Sequence, residues 1–366
     1  MHQIRPERTI EIPAIKQRMR GLVTIKRKDM RTGKYDLVRE QKPNMVLNDF
    51  LNAFVGVTNK HNQRNMVSWG RYSSPTDGIL QHCAIGSNGD AVIRTDNFIK
   101  TVLAISQSMN TDSEVGPVHQ RSDYGVDPVW TERTWIFPAG TGTGTVREVG
   151  VRQSTLSIEI EHFARQVVSP EIVKSEYHQL EVTWRAEWSR GTEHPWSGVI
   201  AGGSKDGLTD INWAFEINNN QLMTWCNRAN TSNIADTGRR NPIYRWNGRT
   251  ANPQLVVGTS GNAGNLSEDS QYQLQGSELF AGTVPLWDTG NISRTVTAAG
   301  GEVAFRIGLD IQHANGNIGE IVFCSGPLKS TAQSYGGLGR LLLDPPLQKA
   351  DNYRLFLDMK FQFDAS

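Results

Sequence analysis

Two nine-residue stretches of the chain alternate apolar and polar residues in the same phase. "LEVTWRAEW" (180–188) sets Leu180, Val182, Trp184, Ala186 and Trp188 against Glu181, Thr183, Arg185 and Glu187. "LFLDMKFQF" (355–363) repeats the pattern with Leu355, Leu357, Met359, Phe361 and Phe363. A period of two is the mark of a strand with one buried and one solvated face. The spacing predicts two such strands, with Leu180/Leu355, Val182/Leu357 and Trp188/Phe363 in equivalent buried positions and Glu187 on the wet side.

The same reading predicts strands along most of the chain. "RGLVTIKRKDMRTGKYDLVRE" (20–40) reads as a hairpin that turns at "RTGK". "ERTWIFPAG" and "TVREVGVRQ" read as a second hairpin, and the polar run 107–128 as an extended surface loop. "QLVVGTSG", "SRTVTAAGGEVAFRIGLDIQ" and "IGEIVFCSG" continue the plan. One helix is expected, at "MVLNDFLNAFVG" (45–56), where Val46, Phe50, Ala53 and Phe54 fall near helical spacing.

The two alternating stretches belong to a wider recurrence. At a constant offset Lys174 meets Lys349, Pro170 meets Pro345 and Arg165 meets Arg340; three residues less brings Glu148 onto Glu320 and Gly86 onto Gly258. Three blocks recur in one order at a period near half the chain, far beyond the ~20–50 residues of solenoid repeats. The expected fold is mainly β: two tandem, internally duplicated antiparallel β-sandwich-like domains with an N-terminal extended arm. The boundaries read as 1–20 for the arm, 21–190 for the first domain, 191–207 for a linker region and 208–366 for the second domain.

Composition changes this picture at one end only. The 366 residues carry a net charge of +1, but residues 1–42 hold twelve Lys/Arg against five Asp/Glu, a local +7 that leaves −6 elsewhere. Residues 1–20 contain Pro6 and Pro13 and little apolar surface beyond Ile4, Ile10, Ile12, Ile15 and Met19. They are expected to be poorly ordered in an isolated chain and to order on a neighbouring subunit or on the attachment protein. Ile10, Ile12 and Ile15 would supply burial, and Arg5, Arg8, Arg18 and Arg20 ion pairs. No aromatic residue interleaves with the cations of residues 1–34, so a protein partner is expected rather than nucleic acid. No apolar run approaches the ~20 residues of a membrane span, and charges stand where a secretion signal would place its apolar core.

Candidate chemistry is sparse. "GTGTGT" (140–145) lacks the Lys-Ser/Thr of a phosphate loop and reads as a tight turn. Eight histidines are scattered with no HxH, HExxH or HxxxH pair, and Cys83, Cys226 and Cys324 form no CxxC. No GxSxG is present. Glu148 and Glu320 could be a carboxylate used twice, but a strand-edge carboxylate accepting bonds from a neighbouring loop is the favoured reading. No metal, cofactor or catalytic residue is nominated.

Four pieces, "NMVLNDFLNAF", "CAIGSNGDA", "WTERTWIFPAGTGTGTVREVGV" and "FARQVVSPEIVKSEYHQLEVTWRAEW", resemble in their order tailed-bacteriophage virion proteins of the tail or tail-fibre type. The resemblance covers residues 44–188 well and 255–363 more weakly, and its motifs are structural turns. It implies a non-enzymatic building block of a tail appendage or baseplate, made in the host cytoplasm and located in the virion. Expected partners are copies of itself, as a symmetric oligomer guessed to be a trimer, other tail or baseplate proteins and a host surface receptor. Alternatives are a glycan-degrading or glycan-binding tail protein and a capsid-decorating or head-fibre protein.

Overall fold

The computed structural model describes residues 7–47, 82–93, 95–96, 99–106, 120–123, 128–152, 162–189, 196–201, 209–217, 254–260, 276–283, 293–297, 299–324 and 337–365. All regular structure among these is β. The first half contributes β1 (Glu7–Glu11), β2 (Ile15–Asp29), β3 (Lys34–Val46), β4 (His82–Gly86) and β5 (Val102–Ile105). It continues with β6 (Gln120–Asp123), β7 (Val129–Phe137), β8 (Gly144–Arg152), β9 (His162–Lys174) and β10 (His178–Ser189). The second half contributes β11 (Trp196–Ile200), β12 (Ile211–Ile217), β13 (Gln254–Gly258), β14 (Glu278–Thr283) and β15 (Ser293–Val296). Then follow β16 (Gly300–Leu309), β17 (Gly316–Cys324), β18 (Gly337–Lys349) and β19 (Arg354–Ala365).

The strands form a thirteen-stranded and a six-stranded sheet. The smaller runs β11-β12-β18-β17-β13-β14, and the larger contains the succession β2-β3-β9-β8-β4-β5. The two successions match strand for strand. A second match lies in the larger sheet, where β10 pairs β7 and β7 pairs β6, while β19 pairs β16 and β16 pairs β15. The larger sheet therefore takes strands from both halves of the chain. It branches at β2, whose residues 18–29 pair with β10, 21–29 with β3 and 15–19 with β19.

Alternation became strand as anticipated in β10 and β19. Leu180, Val182 and Trp184 are fully buried, as are Leu355, Leu357 and Phe363. Cross-strand neighbours correspond too: Val182 faces Trp135, and Leu357 faces Ile307. Glu187 departs from expectation. It is only 3% exposed, because Arg20 from the neighbouring strand donates to its carboxylate and Arg185 from its own strand forms an ion pair with it. The side chain of Trp188 lies outside the described residues.

Residues 7–19 are not a separate arm in this chain. β1 runs parallel to β19 from Glu7 opposite Arg354 to Glu11 opposite Asp358, and β2 resumes beside Phe361–Ala365. Pro13, which has no N–H to donate, stands at the break between them. Ile10, Ile12, Ile15 and Met19 are all buried in the common core, and the Arg8 guanidinium lies 4.7 Å from the ring centre of Tyr353. Arg18 is exposed in β2, Arg20 pairs with Glu187, and Arg5 lies outside the described residues. The apolar positions judged too few for a core of their own instead complete a core supplied by strands distant in sequence.

Four other expectations change. β7 and β8 do not form a hairpin: β7 pairs with β6 and β10, and β8 with β4 and β9. The turn between them carries Gly140 and Gly142 at φ +78° and +63°, which lets the chain leave one set of partners for another. Met45 and Val46 of the expected helix are the end of β3, and residues 48–56 lie outside the described residues. The composition-based linker 191–207 contains β11, a member of the six-stranded sheet, and the loop 107–128 contains β6.

Candidate functional site

The charged residues that recur between the halves are all deeply buried. Glu148 and Arg165 have fully buried side chains, as do Glu320 and Arg340. Glu148 lies on β8 directly opposite Gly86 of β4, and Glu320 on β17 directly opposite Gly258 of β13. A buried carboxylate is tolerable only when its charge and its lone pairs are satisfied.

In the first half the satisfaction is dense. Arg165 Nε donates to Glu148 Oε2 at 2.7 Å. The backbone amides of Asn88, Lys100 and Thr101 donate to the same carboxylate at 3.3, 3.4 and 3.1 Å. The remaining nitrogens of Arg165 reach Asp96 Oδ2 at 2.6 Å, the Asp90 carbonyl at 3.2 Å and Asn88 Oδ1 at 3.4 Å. Both ends of the segment joining β4 to β5 are thus tied to one ion pair. Gly86 makes the approach possible: a Cβ there would sit 2.5 Å from Glu148 Oε1 and 2.6 Å from the Thr101 carbonyl.

The second half uses the same carboxylate in the same way, with a different second anion on its arginine. The amide of Gly276 donates to Glu320 Oε1 at 2.8 Å, just before β14. Arg340 approaches Glu320 at 3.7 Å and Glu216 of β12 at 3.6 Å. The residue opposite Arg340 on the adjoining strand is Glu216, whereas the residue opposite Arg165 is Met45. The second carboxylate therefore comes from a strand in one half and from a loop in the other.

A lysine closes each half's next turn. Lys174, buried at the end of β9, donates to the Pro138 carbonyl at 2.8 Å, in the turn between β7 and β8. Burial pushes its pKa down to about 8. Lys349, buried at the end of β18, donates to Asn315 Oδ1 at 2.9 Å, in the turn between β16 and β17. Burial lowers its pKa as well, while Asp310 and Asp351 oppose that shift. Cys83 is buried in apolar surroundings that raise its pKa and leave it a thiol.

These arrangements bind main-chain and side-chain groups of the chain's own loops and turns. Glu148 and Glu320 lie in different sheets, each engaged by an arginine and by backbone N–H of its own half. No group of three metal-ligating side chains occurs among the described residues. Sequence reading found Glu148, Arg165, Lys174 and their counterparts through recurrence, and anticipated the loop-holding role of the carboxylates. It missed Asn88, Asp90 and Asp96, whose signal was the density of Asn and Asp in "SNGDAVIRTDN". Of the residues assigned to an assembly arm, Arg8, Ile10, Ile12, Ile15, Arg18 and Arg20 are distributed along β1 and β2. No protein-family model matches the chain, and no curated protein or solved structure is similar to it.

Proposed function

We propose that this chain is a structural protein of a tailed-bacteriophage virion, built by tandem duplication of one antiparallel, sandwich-like β-domain. Its place is the tail, as an appendage or baseplate component, where it acts as an adaptor within a symmetric homo-oligomer. One observation carries the reading of a building block: the ionisable residues that recur between the halves bind the chain's own loops. The matched strand order of the two successions supports duplication. The assignment to a phage tail rests on the sequence resemblance of residues 44–188 and 255–363.

The competing reading, a glycan-degrading tail enzyme, requires two carboxylates flanking one substrate bond at ~5–10 Å. The recurring carboxylates are instead fully buried and engaged by an arginine and backbone N–H of their own half. Gold-labelled antibody against the chain, imaged on intact virions, tests the proposal. Label at the tail or its tip is the expected result. Label on the head, or its absence from purified particles, would reject the tail assignment. Release of reducing sugar from host surface polysaccharide by the purified chain would reject the non-enzymatic one.

A further inference from the structure

Residues of different chemistry stand at the same place in the two recurring turns. The offset that carries Lys174 onto Lys349 carries His178 onto Tyr353. Tyr353 is buried, donates its hydroxyl to the Gln348 carbonyl and has the Arg8 guanidinium 4.7 Å from its ring centre. Burial raises its pKa, so it stays neutral across the ordinary pH range. His178 keeps 14% of its side chain exposed. Histidine is the side chain that changes charge near neutral pH.

The β9–β10 turn fixes which ring nitrogen carries the hydrogen. The backbone N–H of Ser175 meets His178 Nδ1 at 3.1 Å and can only donate, so Nδ1 holds its lone pair there. The Ser175 hydroxyl donates to the same nitrogen at 2.9 Å, and the His178 amide returns to the Ser175 carbonyl at 3.1 Å. Nε2 therefore bears the hydrogen, and it faces Asp36 Oδ2 at 3.6 Å. The turn also holds the β2–β3 hairpin. Met30 N–H donates to the Tyr177 carbonyl at 2.9 Å, and the Arg31 guanidinium lies 4.9 Å from the Tyr177 ring centre.

Charges surround the imidazole on each side. β2 places Asp29 directly opposite His178 and also supplies Arg27, with Arg31 just beyond its end; β3 supplies Asp36 and, opposite Asp29, Lys34. The turn itself carries Glu176, which is exposed, and Lys174, which is committed to the Pro138 carbonyl. Arg31 and Arg27 hold the carboxyls of Asp29 and Asp36 below their usual range, with His178 a lesser cause, so both stay ionised in mild acid. Each carboxylate has its own arginine, and Nε2–H faces Asp36 whatever the charge of the ring. What a second proton changes is the Ser175 side.

We infer that His178 is a proton-operated latch on the β9–β10 turn. A second proton must go to Nδ1, where it meets the Ser175 N–H, donor against donor. The Ser175 hydroxyl can rotate to accept the new Nδ1–H; the amide has no such option and loses its bond. The open turn therefore binds the proton more readily than the closed one, and its population rises as pH falls. The loosening reaches the hairpin through Tyr177 and Met30. The second half, with Tyr353 in this place, has no such response.

Residue-resolved amide exchange of the full chain at about pH 8 and about pH 5, with imidazole nitrogen shifts read alongside, tests this. The expected result is an Nε2–H tautomer at the higher pH. Protection at Ser175 then falls about tenfold or more as His178 takes up its proton, with a smaller fall at Met30. His178→Gln offers an acceptor that does not titrate and should keep both amides protected at either pH. Protection at Ser175 that persists once His178 is charged overturns the inference. So does an Nδ1–H tautomer at the higher pH, or an imidazole still neutral at the lower one. An equal fall in His178→Gln assigns the response to another group and overturns it as well. A fall at Ser175 without one at Met30 overturns the transmission to the hairpin.

Discussion

Arg165 and Arg340 stand in the same place in two matching sets of strands, yet they are neutralised differently. Arg165 has Glu148 at 2.7 Å and the loop residue Asp96 at 2.6 Å. Arg340 has Glu320 at 3.7 Å and the strand residue Glu216 at 3.6 Å. Among the described residues, the buried cation of one half reaches a loop, and that of the other reaches a neighbouring strand. The buried cation is the shared requirement, and the source of its second anion is the part free to vary. That difference turns a common framework into two loops with different restraint.

The comparison breaks most severely at the arginines themselves. Arg165→Met leaves Glu148 buried without its counter-charge and is expected to cost ~3–5 kcal/mol in denaturant unfolding. Arg340→Met should cost less if its longer contacts to Glu216 and Glu320 set the loss. Equal losses would mean that the geometric difference has no energetic content. Adding Glu148→Gln to Arg165→Met should recover part of the loss, since the uncompensated charge is then gone.

Gly86 sharpens the comparison next. Gly86→Ala places a methyl 2.5 Å from Glu148 Oε1 and from Ile99 Cγ2, and 2.6 Å from a backbone carbonyl. The expected destabilisation is ~1–3 kcal/mol, with the loss of amide protection concentrated at residues 87–101. A neutral Gly86→Ala would show that the carboxylate does not need this approach.

Asp96 and Glu216 separate the two roles. Asp96→Asn should speed amide hydrogen exchange at Asn88, Lys100 and Thr101 by about tenfold, equivalent to ~1.4 kcal/mol of local opening. Glu216→Gln should leave those amides unchanged and act on β12 and β18. Faster exchange at residues 88–101 in Glu216→Gln would count against a loop-specific role for Asp96.

The lysines give the smallest effect, read through pH. Lys174 titrates near 8 in the folded chain against 10.5 in its ordinary state. Between those values the unfolded chain binds the extra proton, so stability rises with pH from about 8 to 10.5 and is flat below. Lys174→Met should remove that slope. If the wild-type slope persists in Lys174→Met, its source lies elsewhere. Lys349→Met should change the slope less, because Asp310 and Asp351 favour its charged form.

Much of this framework was legible in the residues. Alternation located β10 and β19, the "RTGK" turn located the β2–β3 hairpin, and recurrence singled out Glu148, Arg165 and Lys174 with their counterparts. Each is a local signal or a self-comparison of the chain. The failures share a cause. β1 pairs with a strand ~350 positions away, and no local pattern announces such a partner. Pro13 shifts the apolar phase between Ile12 and Ile15, which disguised one continuous buried edge as a weak arm. Glu187 was misassigned because alternation specifies a face and cannot say whether two arginines will close over it. The β7–β8 hairpin failed because a glycine turn specifies a reversal and leaves the choice of partner strand open.

The parallel alignment of residues 7–19 with residues 354–365 sets a schedule for biosynthesis. At about 5–20 residues per second, roughly 20–70 s pass on the ribosome between the emergence of β1 and that of β19. For that interval Ile10, Ile12, Ile15 and Met19 lack the strand that covers them in the finished sheet. An unpaired apolar edge is a template for wrong strands, including those of neighbouring nascent chains. Five cations between Arg8 and Lys26 flank those apolar positions. Their mutual repulsion disfavours association between identical segments during the wait, so the charge of this segment protects the chain before its last strand arrives.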